Sequence, residues 1–148
     1  MYIKNKELKI PLIQGGMGVG ISLGNLAGHV AKHEAMGVIS TADTGFMEPD
    51  FWKNPIASNL RGLEKEINKA KKIANGNGLI AINAMVATTY YAESVKTAVQ
   101  AGIDCVISGA GLPLELPALV KGYDTVIAPI VSSAKAANVI CRVWDKKY

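Results

Sequence analysis

Leu79–Val86 reads LIAINAMV: an unbroken apolar run with a single carboxamide, Asn83, near its C-terminal end. A strand with one face on water would alternate polar and apolar residues. A run apolar on both sides belongs to a strand covered on both faces, as in a parallel sheet. Four further stretches read the same way: PLIQGG (Pro11–Gly16), GVIST (Gly37–Thr41), CVISGAG (Cys105–Gly111) and TVIAPIVSS (Thr125–Ser133). Amphipathic stretches separate them, at Leu23–Ala35, Asn59–Gly76, Thr89–Gly102, Leu112–Gly122 and Ala134–Tyr148. In the second of these, Leu60, Leu63, Ile67, Ala70 and Ile73 recur at spacings of three and four and form one buried helical stripe. Asn75-Gly76, Ala101-Gly102 and Lys121-Gly122 place glycine where a helix must stop before the next strand. The result is five βα units, either in an open doubly wound sheet or in part of a (β/α)8 barrel. Pro129 predicts an irregularity in the last strand, because proline donates nothing to a ladder.

The whole chain has 148 residues, 49% of them hydrophobic, enough for one core of ordinary domain size. Its net charge is +4, with lysines scattered rather than clustered among aromatics, which argues against nucleic acid as a partner. No apolar stretch reaches the roughly 18 residues of a membrane span. The opening MYIKNKELKIP is too polar for a signal peptide, and Cys105 and Cys141 read as buried thiols, so a cytoplasmic setting is expected. The one long connection, Ala42–Ser58, holds Phe46, Phe51 and Trp52 and is either a lid or an ordered loop packed by its aromatics.

Four glycines crowd Gly15–Gly20, directly after the first strand. Gly18, Gly20 and Gly24, with Asp43 past the second strand, give a loose dinucleotide-binding pattern. A glycine-rich turn with no ligand is the bland alternative. The other strand ends suggest a third reading. Gln14-Gly15-Gly16, Ser40-Thr41, Asn83, Ser108-Gly109 and Ser132-Ser133 are all small or polar, and in a parallel barrel they converge on one face. A planar, heteroatom-rich ring needs close backbone approach, which glycine permits. It also needs an amide such as Asn83 at its edge and tolerates a thioether such as Met17 on its face. Flavin suits this set better than phosphate alone.

In this order, PLIQGGMG, GVIST, GLIAINAMVAT and ISGAGLP resemble the nitronate monooxygenase family, formerly the 2-nitropropane dioxygenases, which also includes the FMN-dependent enoyl-acyl-carrier-protein reductase II enzymes. The resemblance extends over essentially the whole chain. It implies a TIM barrel, an α/β fold of which residues 1–148 supply about the first five βα units of a single FMN-binding domain. It further implies FMN contacts from Gly15, Gly16, Met17 and Asn83, with Ser132 and Ser133 lining the same pocket. Gly109 and Ala110 would border the substrate. The implied reaction is oxidation of an alkyl nitronate, with O2 reoxidising the flavin. The alternative is NAD(P)H-driven reduction of an enoyl thioester, and from another class comes a non-catalytic half-barrel subunit. Family members are longer, and the Gly-Gly-His loop that carries the catalytic histidine of the monooxygenases has no counterpart here. Five strands do not close a barrel of eight. Accordingly, the expectation is a chain inactive on its own that self-associates or is completed by a C-terminal half.

Other residues read more plainly. His29 and His33, four apart, share a helical face that suits a metal but read as surface residues, and no metal is expected. Lys135 is better placed as a helix start than as a Schiff-base lysine. Asp104 and Asp124 precede strands and are expected to be solvated. Tyr90 and Tyr91 follow the third strand, either edging the pocket or packing.

Overall fold

The computed structural model describes residues 1–148. Its centre is a four-stranded parallel sheet of β3 (Met36–Ser40), β4 (Leu79–Met85), β5 (Cys105–Gly109) and β6 (Val126–Pro129). Helices α1 (Gly24–Lys32), α2 (Pro55–Ala74), α3 (Tyr91–Gln100), α4 (Leu116–Leu119) and α5 (Ala134–Lys147) precede, link and follow these strands. Strand order in space equals order in sequence, β3-β4-β5-β6. A doubly wound sheet reverses direction at a switch point. This one never does, so the sheet is wound one way.

The two faces confirm it. Ile39, Ile80, Ile82, Ala84 and Val106 face outward and share one core with α1 through α4, including Ala27, Ala31, Leu63, Ile67, Val95 and Leu116. The alternate residues Met36, Val38, Leu79, Ala81 and Cys105 face inward. Period-two alternation therefore persists along strands that look uniformly apolar, because both faces are covered.

The inner face is closed at one end by an element that sequence reading missed. A small antiparallel hairpin pairs β1 (Tyr2–Ile3) with β2 (Lys6–Glu7). It delivers fully buried Leu8 into the inward cluster, against the N-terminal ends of the strands. Lys6 forms an ion pair with Asp104 at 3.1 Å and Lys4 one with Asp124 at 3.0 Å. Asp104 is thus not simply solvated: its second carboxylate oxygen also accepts from the Ile80 N–H at 2.9 Å, tying the start of β4 to β5.

The first strand is shorter than PLIQGG implies. It reduces to one parallel bridge, Ile13 to Met36. Glycines past Gln14 carry the chain out of extended pairing, yet β3 keeps its partners. Met36 N–H donates to Leu12 O, Val38 N–H to the Gln14 side-chain Oε1, and Ser40 N–H to Ser22 O. The far edge behaves differently. Val126 N–H donates to Asp104 O, just ahead of β5, and Ile130 N–H to Ser108 O on β5, so the alternate residues Ile127 and Pro129 point their nitrogens at the open edge. Pro129 therefore sits where its missing N–H leaves no gap in the ladder.

The Ala42–Ser58 connection is an ordered loop, and it is shorter than read because α2 begins at Pro55, proline being well suited to a first helical position. Polar groups hold it rather than its aromatics. Thr44 Oγ1 donates to Asn59 O at 2.7 Å, Gly45 N–H to Asn59 Oδ1 at 2.8 Å, and Asn59 Nδ2 to Asp43 at 3.2 Å. Arg61 pairs with Asp50 and Lys65 with Glu48. Trp52 is 91% exposed, touching the Phe51 ring edge-on at 5.2 Å. No helix is long and apolar enough to cross a membrane.

Candidate functional site

At the C-terminal end of the inner face, β3 ends in Ser40, paired in register with Asn83 of β4, which in turn pairs with Ile107 of β5. The glycine-rich segment crosses directly above them. A Cβ on Gly16 would lie 2.6 Å from Asn83 Cβ and 3.0 Å from its Nδ2, and one on Gly18 would lie 2.7 Å from Ala42 Cβ and 3.2 Å from Ser40 Oγ. Real Cβ atoms do not approach so closely. The glycines are there because the main chain rests on the strand ends, which answers why so much backbone freedom is concentrated in this stretch. Gly20, at φ 76°, turns the chain back over the Phe46 ring toward α1.

Asn83 holds Thr41 in place through its backbone carbonyl, which accepts from the Thr41 N–H at 3.0 Å and Oγ1 at 3.2 Å. Its half-buried carboxamide has no hydrogen-bond partner within the chain. Nor do the N–H groups of Gly15 and Gly16. Met17 differs: its N–H donates to Ser22 Oγ and its carbonyl accepts from Ser22 N–H, both at 2.9 Å. Its side chain, 53% exposed, is what remains free. The Gly15 and Gly16 N–H groups and the Asn83 carboxamide are thus without partners in one short stretch of the fold, next to an exposed thioether.

Of the four remaining sequence candidates, Ala110 and Ser132 fall into a recess, and Gly109 and Ser133 do not line it. Ala110, Gly111, Leu112, Ile130, Val131, Ser132 and Ala136 line a cavity of about 340 Å³. Ala110 and Ser132 thus share one hollow, although the sequence reading assigned them to different sides. Gly109 is buried beneath it, with Ile130 filling the space its side chain would need, at 3.0 Å from a Cβ there. Ala110 follows at φ 53°, a strained turn for a residue with a Cβ. Ser133 is engaged elsewhere: its hydroxyl caps α5, accepting from Ala136 N–H at 3.2 Å.

Tyr91 Oη and Ser108 Oγ are hydrogen-bonded at 2.8 Å behind the strand ends, and burial holds the phenol above its ordinary pKa. Tyr90 reaches the Asp43 carboxylate at 3.5 Å; burial and that negative charge raise its pKa too. Tyr91 packs against the outer core, while Tyr90 is half-buried and reaches Asp43 through its hydroxyl. His29 is exposed on α1, its ring nitrogen bonded to Asn25 O at 2.8 Å, and His33 lies just past the helix end. No three potential ligands are grouped for a metal. Cys105 is buried in the inner face, and burial and then Asp104 push its thiol up to about 11. Cys141 is exposed on α5, contrary to the expectation of two buried thiols.

A sheet wound one way, with helices on its outer face and small polar groups at the C-terminal strand ends, is part of a (β/α)8 barrel. The nitronate monooxygenase family matches residues 2–146, and the chain belongs to that family. Among solved structures it is similar to FabK from Thermotoga maritima, with a TM-score of 0.71 and 23% identity, covering 92% of this chain and 38% of that one. A point mutant of the same protein gives a TM-score of 0.63 at 23% identity, covering 86% and 39%. The chain thus spans about two fifths of the length of these structures. No match was found among curated proteins.

Proposed function

We propose that residues 1–148 are part of a single FMN-binding barrel domain, in an oxidoreductase that oxidises alkyl nitronates with O2. The observation that carries this is the juxtaposition of Gly16 with Asn83: bare main chain over a free carboxamide, with the exposed Met17 thioether beside it. The residues fit a flavin ring. Gly15 and Gly16 N–H can donate to its acceptor edge, the Asn83 amide can donate and accept at one point, and Met17 can lie against its face. When bound, FMN supplies the redox chemistry. The chain's own share is to bind and orient the ring and to shape the adjoining hollow.

That hollow, with Ala110, Leu112, Ile130 and Val131 on its walls, suits an apolar substrate portion with Ser132 as its one hydroxyl. The likeness to FabK supports a second reading, reduction of an enoyl thioester by NAD(P)H, and both readings use the same ring contacts.

The test is titration with FMN and with lumiflavin, which carries the ring alone, followed by quenching of flavin fluorescence. Weak but saturable binding of both is expected in the wild-type chain, which offers ring contacts without a recognisable cradle for the phosphate. Gly16→Val should weaken binding more than it weakens the fold, because a Cβ there would lie 2.6 Å from Asn83 Cβ and push the loop off the carboxamide, with circular dichroism and the thermal midpoint reading the fold. Binding of NAD(H) with no uptake of flavin would favour the dinucleotide reading and overturn this one. In protein containing the whole site, anaerobic bleaching by a nitronate or by NAD(P)H separates the two reactions.

A further inference from the structure

We infer that Gln14 and Ser22 are positioning residues that fix the Gly15–Met17 main chain in its ligand-ready shape before any ligand arrives; this rests on the flavin reading of the site. Ser22 is fully buried, although it lies in a turn beside exposed residues. Its hydroxyl is saturated: it accepts from Gln14 Nε2 and Met17 N–H, each at 2.9 Å, and donates to Gly15 O at 3.1 Å. Gln14 Nε2 also donates to Gly15 O at 2.5 Å, while Oε1 accepts from Val38 N–H at 3.0 Å. The reversed amide would set oxygen against Gly15 O and nitrogen against the Val38 N–H, so only one orientation works. Through Gln14 the loop is bonded to β3, and through Ser22 O, accepting from Ser40 N–H at 2.9 Å, to the strand end beneath it.

The Gly15 carbonyl and both Met17 main-chain polar groups are thereby satisfied, while the Gly15 and Gly16 N–H groups have no partner within the chain. A fully satisfied buried network is rigid. Ordering cost at binding falls when the bound shape already exists. A fold-stabilising role alone would be served by any pairing that closes the turn; it would not require the Gly15 and Gly16 N–H groups to be left without partners.

The experiment compares Ser22→Ala, Gln14→Glu, Gln14→Met and Ser22→Thr with wild type for FMN and lumiflavin affinity, thermal midpoint and the visible circular dichroism of the bound flavin. Gln14→Glu keeps the acceptor for Val38 but sets a carboxylate oxygen against Gly15 O where the amide donated, and Gln14→Met, which removes the donors without adding charge, stays informative where Ser22→Ala or Gln14→Glu is too unstable to study. Ser22→Ala, Gln14→Glu and Gln14→Met should weaken both ligands by about tenfold or more, the loss of one or more hydrogen-bonded restraints, and alter the visible dichroism. Ser22→Thr, which keeps the hydroxyl, should restore affinity. If affinities and spectra follow wild type in the Ser22→Ala and Gln14 variants while Asn83→Ala weakens binding, the positioning role is wrong and the flavin reading stands. If wild type takes up neither ligand, the flavin reading fails and this inference with it.

Discussion

Asn83 stands in register with Ser40 on one side and Ile107 on the other, the one carboxamide on an inner face that is otherwise apolar toward the hairpin. Its side chain has no partner within the chain. Asn83→Ala should therefore cost little stability but weaken FMN binding by about 1–3 kcal/mol, the range for a buried group left unpaired, as read by titration. The cysteines make a second test at this scale. Cys105 combines burial with a thiol pKa of about 11, whereas Cys141 is exposed. Alkylation of the native chain at pH 8 should modify Cys141 alone, with Cys105 reacting only after denaturation, as mass spectrometry of the peptides would show. Asn83 and the glycines were legible because an amide closing an apolar run, and glycines crowded after one, each break a local pattern. Gln14 and Ser22 were not. Their bonds join residues eight apart through a turn, and such pairing leaves no periodic trace in sequence. Cys141 misled because apolar neighbours surround it in the chain, while the helix buries Ile140 and partly buries Ala136, Ala137, Val143 and Trp144, leaving Cys141 on the exposed side.

At the scale of elements, helices ending in glycine were readable in advance: Asn75 takes φ 51°, and Gly76, Gly102 and Gly122 take φ of 82°, 74° and 87°. The start of α2 was missed, although Pro55 suits a first helical position and Ile56 stands four residues before Leu60 on the spacing of the stripe. The hairpin also escaped notice. Two-residue strands are too short to show alternation, and their role comes from where Leu8 lands. The β3–α2 loop offers a direct test. Asn59 is almost fully buried and serves Thr44, Gly45 and Asp43 through three hydrogen bonds. Replacing it with alanine leaves the Gly45 N–H without its acceptor and should destabilise the fold by about 2–3 kcal/mol, seen as a lower urea midpoint with unchanged slope. A variant as stable as wild type would show the loop to be held by something other than this clamp.

For the whole molecule, the family was legible from several strand ends occurring together in order, since no single motif was distinctive. Periodicity alone left the winding open, because strand order in space is a long-range property, and it was the family resemblance that chose the barrel the sheet displays. The consequence of that winding is exposed apolar surface. Ile130 and Val131 past β6 are exposed, as are Ile10, Leu12 and Ile13 at the other margin. The chain is expected to associate in solution through this surface, giving a concentration-dependent mass in sedimentation. Ile130→Lys should shift that equilibrium toward the monomer.

The unlike margins of the sheet limit how far such association goes. On the β3 side, Leu12, Gln14 and Ser22 already occupy the donors of Met36, Val38 and Ser40, and the covering segment is one bridge long between a proline and a run of glycines. Only β6 remains as a template, and Pro129 removes one of its donors. A stack that can add subunits at one end alone is finished after two: once β6 of one copy meets β6 of another, neither offers a further surface to copy. Fibrils need a template that regenerates itself with each addition. The chain should therefore resist seeding, and thioflavin fluorescence should stay flat at concentrations where sedimentation already detects pairs.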